Sequence, residues 1–150
     1  MSRPLVPGSL AAAALLSACG GSDPLGPADL AGTYILVTVS GQPVPAAGTP
    51  SVLSGVIFLG QDGAAVRRVR YATAATPAGV EEVSAGTFLV RGDSVVLRMT
   101  LLSSRPPVAV QWAAARQGPT LSLRFGAPAD GPDVVELYRR PDVVELSRGG

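Results

Sequence analysis

The sequence predicts an all-β domain: an eight-stranded antiparallel up-and-down barrel, with a two-sheet β-sandwich as the alternative. Three observations carry that expectation. Between Leu30 and Arg140 apolar and polar residues alternate with a period of two, the connections between alternating runs are short and hold Gly, Pro and Asp, and no amphipathic helical pattern interrupts them. Eight strands in roughly 110 residues leave room for little besides hairpins, and closing the sheet removes the exposed edges that invite aggregation.

In chain order, the first element lies outside the barrel. Met1–Pro4 carries one positive charge, Arg3, and Leu5–Leu16 is an apolar run interrupted only by Pro7, Gly8 and Ser9. It is shorter than the about 20 residues of a membrane span and has the length of a signal-peptide helix. Small residues then precede the one cysteine. The sequence Leu16-Ser17-Ala18-Cys19 resembles the lipobox of bacterial lipoproteins, where the thiol is joined to diacylglycerol and a peptidase cuts just before it. That resemblance implies a signal peptide over 1–18, Cys19 as the lipid attachment point, and a membrane contact through N-terminal acyl chains. With Gly20 rather than Asp after the cysteine, it also implies the outer membrane of the cell envelope, facing the periplasm. The competing account is a buried free cysteine ending an N-terminal helix, which requires a helix without a polar face in a chain otherwise built of strands. Residues 19–29, "CGGSDPLGPAD", read as a flexible tether, because Gly and Pro resist both helix and core.

The barrel domain spans 30–140. "LAGTYILVTVSG" (30–41) is the first strand, and "VLSGVIFLG" (52–60) turns through Gln61-Asp62-Gly63 into "AAVRRVRYAT" (64–73). After the loop "AATPAG", "VEEVSAGTFLV" (80–90) turns through Gly92-Asp93 into "SVVLRMTLL" (94–102). This last run puts Val95, Leu97, Met99 and Leu101 on one face. "SSRPP" breaks the pattern, and "VAVQWAAAR" (108–116) resumes it with Val108, Val110 and Trp112 together. Gln117-Gly118-Pro119 turns into "LSLRF" (121–125), and "DVVELYRR" (133–140) is the eighth strand. "PDVVEL" occurs at 132–137 and again at 141–146. The first copy is expected to close the sheet, leaving the second in a tail over 141–150, since Pro141 cannot donate to a ladder.

Charge and chemistry narrow the function. Twelve basic residues, all Arg, nearly balance eleven acidic ones, so no bulk field steers the chain toward nucleic acid. His and Lys are absent, and the lipobox resemblance implies that Cys19 is acylated, which would remove the last of the usual neutral-pH bases and nucleophiles. The chain therefore reads as a non-enzyme. Oxygen ligands without calcium-loop spacing give no expectation of a metal or cofactor. Glu81 and Glu82 are adjacent on a strand and point to opposite faces, and Arg91-Gly92-Asp93 reads as a hairpin turn rather than an adhesion motif. The sharpest charge feature is Arg67, Arg68 and Arg70. Alternation puts Arg68 and Arg70 with Val66 on one face, and Arg67 with Val69 and Tyr71 on the other. An inward Arg68 or Arg70 would meet an acidic head group; outward, either would stand in solvent or touch anionic lipid heads.

Four stretches carry a second resemblance: "LAGTYILVTVSGQPVP" (30–45), the strand-QDG-strand hairpin, "AGTFLVRGDSVVL" (85–97) and the closing "VELYRR". Together they resemble the small lipocalin-like lipoprotein domains of bacteria. The resemblance implies that Gly32-Thr33-Tyr34 stands where lipocalins carry Gly-x-Trp, with Arg139 or Arg140 over the Tyr34 ring. It departs from the lipocalin pattern in having Tyr for Trp and no C-terminal helix. Two functions follow. In one, the barrel binds a small apolar or amphipathic molecule, lined by Val95, Leu97, Met99 and Trp112 with Arg68 and Arg70 as further candidates. In the other it is a structural or interaction module of the envelope, filled by its own side chains.

Overall fold

Tight turns dictate the topology. A computed structural model describes residues 26–48, 50–126 and 133–141. Its strands are β1 (Gly32–Val39), β2 (Gln42–Pro43), β3 (Ser51–Leu59), β4 (Ala64–Ala72), β5 (Val80–Arg91), β6 (Ser94–Leu101), β7 (Val108–Gln117), β8 (Thr120–Phe125) and β9 (Val134–Arg139). Every pairing is antiparallel. β3 to β9 follow one another in the sheet, β1 pairs with β3, and β9 returns to β1. The sheet is thus a closed eight-stranded barrel with β2 as a short extra strand, and the β1–β9 ladder rules out the sandwich arrangement.

All eight strands expected from the alternation are present. β2 was not expected, and its cause is the turn before it: Ser40 and Gly41 have φ of 47° and 79°, the two positive values of a type I′ turn. That turn folds Gln42 back onto Val39. Gly92 has φ of 58° between paired Arg91 and Ser94, so Gly92-Asp93 is a two-residue hairpin turn as its spacing suggested. The first copy of "PDVVEL" supplies β9 and closes the barrel. The second copy, from Asp142 onward, lies outside the described residues, as do the signal segment and most of the tether.

One part of the tether reading is corrected. Pro27–Leu30 is a single helical turn, α1, rather than free chain. Pro27 occupies its first turn, where the missing N–H costs nothing, and Asp29 Oδ2 accepts from the Gly26 N–H at 2.7 Å. Leu30 is 1% exposed, and its carbonyl accepts from the Tyr34 hydroxyl at 3.0 Å. α1 touches β5, which is not a neighbour of β1, so the turn crosses the end of the barrel where β1 begins. Leu30 stoppers that end. Behind it Tyr34, Ile57, Phe88, Val95, Leu97 and Leu123 are each at most 2% exposed and fill the interior.

Candidate ligand cavity

The opposite end is not filled. A cavity of about 540 Å³ lies among Val39, Val52, Tyr71, Leu101, Phe125 and Val134, which stand at the far ends of six strands. Its walls are largely aliphatic. Its polar content comes from one cluster centred on Arg67, which is 1% exposed although it carries a full charge.

Alternation on β4 explains why this arginine is inside. Ala65, Val69 and Tyr71 share its face, and burying them carries Arg67 inward. A buried guanidinium needs partners, and Arg67 has them on its own strand and on two others, β5 and β9. Its Nε and Nη2 donate to the two oxygens of Glu136 at 3.1 and 2.7 Å, a bidentate pair with a residue 69 positions away. Nη1 donates to Glu82 Oε1 at 2.8 Å, and Nη2 also donates to the Tyr71 hydroxyl at 3.2 Å. Tyr138 completes the group, donating to Glu136 Oε2 at 2.6 Å and accepting from Nε at 3.1 Å. The guanidinium carbon also lies 5.3 Å from the Trp112 ring centre and 5.0 Å from that of Phe125, and the two rings meet edge to face at 5.1 Å. Ser84, the register partner of Arg67, is 0% exposed, and its hydroxyl makes no hydrogen bond among the described residues.

Ionisation follows from this packing. Burial opposes the Arg67 cation, but the Tyr138 and Glu136 oxygens outweigh it and raise its pKa above the ordinary arginine value. Burial also raises the Tyr138 and Tyr71 phenols above 10.0, against the pull of Arg67 in both cases. Both are therefore neutral phenols at physiological pH, Tyr138 donating to Glu136 and Tyr71 accepting from Arg67. Because their folded pKa lies above the unfolded one, their contribution to stability is complete below about pH 10 and is lost as the pH rises through the folded value. The urea midpoint is expected to fall between about pH 9 and about pH 11, and Tyr138→Phe is expected to flatten that fall. An equally steep fall in Tyr138→Phe would contradict the assignment.

The residues singled out from sequence separate into three groups. Val95, Leu97 and Met99 face inward but belong to the packed interior rather than to the cavity wall, whereas Trp112 lines the cavity. Arg68 and Arg70 do not line it. They are exposed on the outer surface, where Arg70 donates to the Ala78 carbonyl oxygen, because the face they share with Val66 is the less apolar side of β4. Gly32 and Tyr34 lie at the stoppered end. Arg140 packs against Gly32, where an added Cβ would meet its Nε at 3.3 Å, and Arg139 is exposed opposite Ile35. Leu16, Ser17, Ala18 and Cys19 fall outside the described residues.

Sequence reasoning missed the charged cluster itself. Arg67 was legible from Val69 and Tyr71 on its own face, and Glu82 from being the inward member of the Glu81-Glu82 pair. Glu136 was not, since Val135 and Leu137 make the other face of β9 look like the buried one. Comparison of the chain with protein-family models, curated proteins and solved structures returns no match.

Proposed function

We propose that the protein is a lipid-anchored protein of the bacterial cell envelope whose lipocalin-like barrel binds a small apolar or amphipathic molecule without transforming it. The cavity carries this reading. About 540 Å³ falls within the roughly 300–1,000 Å³ of small-molecule sites, and an aliphatic wall around one polar cluster is their usual composition. A barrel serving only as a structural module has no need of an unfilled end. The non-catalytic reading is supported by the cluster's own bonding, since Arg67, Glu82, Glu136 and two tyrosines are engaged with one another.

The envelope location rests on the lipobox-like sequence. The direction of the chain is consistent with it: α1 crosses the stoppered end, so acyl chains at Cys19 would hold that end toward the bilayer and leave the cavity mouth facing the periplasm. Two measurements test the proposal. Cys19→Ser should leave the chain uncleaved and without lipid label in its host, and normal maturation of that variant would overturn the anchor. Native mass spectrometry of the full Cys19→Ser chain purified from its host should show a bound small molecule. Its absence, together with an experimental structure in which the open end is packed solid, would overturn the binding reading.

A further inference from the structure

The cavity contains one cation and two carboxylates, and this imbalance assigns the charge of what it binds. Resting on the binding reading above, we propose that the ligand is a cationic amphiphile: a substituted ammonium group on an apolar body.

An arginine at the floor of a greasy cavity suggests a carboxylate ligand, but the geometry denies it that role. An arginine has five N–H donors. Nε–H is shared by Glu136 and Tyr138, one Nη1–H goes to Glu82, and the two on Nη2 go to Glu136 and Tyr71, so four of the five are engaged by the protein. Trp112 and Phe125 stand close to the guanidinium as well. An incoming carboxylate would find Arg67 already neutralised by Glu136 and would meet Glu82 as a second, like charge.

Counted over the residues that line the cavity, Arg67 contributes +1 and Glu82 and Glu136 contribute −1 each, leaving −1. That charge is within reach of a ligand. Glu82 is the rim member of the pair, with its side chain 35% exposed against 3% for Glu136. Only its Oε1 is tied to Arg67, and Oε2 makes no hydrogen bond among the described residues. The same cavity offers an aliphatic wall including Val39, Val52 and Leu101 for an apolar tail, and Trp112 lines it as well. A monocation placed beside Glu82 would bring the site to neutrality in a setting less screened than bulk water.

Three probes with one tail separate the alternatives: decyltrimethylammonium, decanol and decanoate, each below its micellar concentration. The protein is the full Cys19→Ser chain, and the signal is the fluorescence of Trp112, the one tryptophan. The ammonium probe is expected to bind about tenfold more tightly than decanol and more tightly still than decanoate. Glu82→Gln keeps the shape and an oxygen for Arg67, and is expected to erase the ammonium advantage while leaving decanol unchanged. Glu81→Gln, on the outer face of the same strand, is expected to change neither. Equal affinities for all three probes, a preference for decanoate, or an ammonium affinity unaltered in Glu82→Gln would overturn the inference while leaving the binding reading intact. Failure of every probe to bind would overturn both.

Discussion

Arg67→Met is expected to lower the unfolding free energy by about 3–5 kcal/mol, the largest loss for any single change in the polar cluster. The expected size comes from what the substitution leaves behind rather than from the pair it removes. Glu136 is 2% exposed, so without Arg67 its charge has only the Tyr138 hydroxyl for compensation. The carboxyl group must then remain as an uncompensated buried ion or take up a proton. Arg67→Met combined with Glu136→Gln removes both charges and is expected to regain more than half of the loss, since a buried pair replaced as a unit is close to neutral. Urea unfolding followed by far-ultraviolet circular dichroism checks both variants. A loss below about 1 kcal/mol in the single variant would place the pair among those contributing as little as a surface pair does.

Gly86→Ala is the second large effect, and it acts through the backbone. Gly86 lies on β5 opposite Met99 of β6, where a Cβ would overlap the Arg98 carbonyl oxygen and approach the Met99 Cα to 2.9 Å. Neither neighbour is a flexible side-chain end, so the two strands must part. Because β5 and β6 belong to a closed ring, that separation cannot be relieved at an edge. The expected cost is about 3 kcal/mol or more, or failure to accumulate as soluble protein. Gly126→Ala, which meets nothing within 4 Å, is the control and is expected to stay within about 0.5 kcal/mol of the parent. Equal stability of the two variants would show that the β5–β6 ladder is looser at Gly86 than its geometry indicates.

The strands were legible because each rule that marks them is local. Val95, Leu97 and Met99 alternate within β6, Gly92-Asp93 marks its hairpin, and neither signal depends on any other part of the chain. β2 was missed because one of its two turn residues is Ser40, a residue that seldom takes a positive φ, and α1 because four residues are too few to show helical periodicity. The cavity was only half legible. Trp112 could be placed inside, but Arg67 and Glu136 join across 69 residues, and nothing near either one announces the other. Where an inward face carries a charge in place of an aliphatic residue, the alternation that identifies strands points to the wrong side. That is what happened on β9, where Glu136 and Tyr138 are the buried residues and Val135 and Leu137 are not.

The β1–β9 ladder has one more consequence. It is hydrogen-bonded like its neighbours and differs from most of them only by a register shift between Leu36 and Thr38, so the ring of strands has no mechanical beginning. The chain enters the ring through α1 and leaves it at Arg140, whose side chain rests on Gly32. Entry and exit are neighbours. A short linker from Arg140 to Gly26, with new ends opened at Gly92-Asp93, would preserve every strand pairing while relocating the termini. Such a circular permutant would carry its ends on a hairpin turn at the stoppered end, leaving the mouth of the cavity untouched.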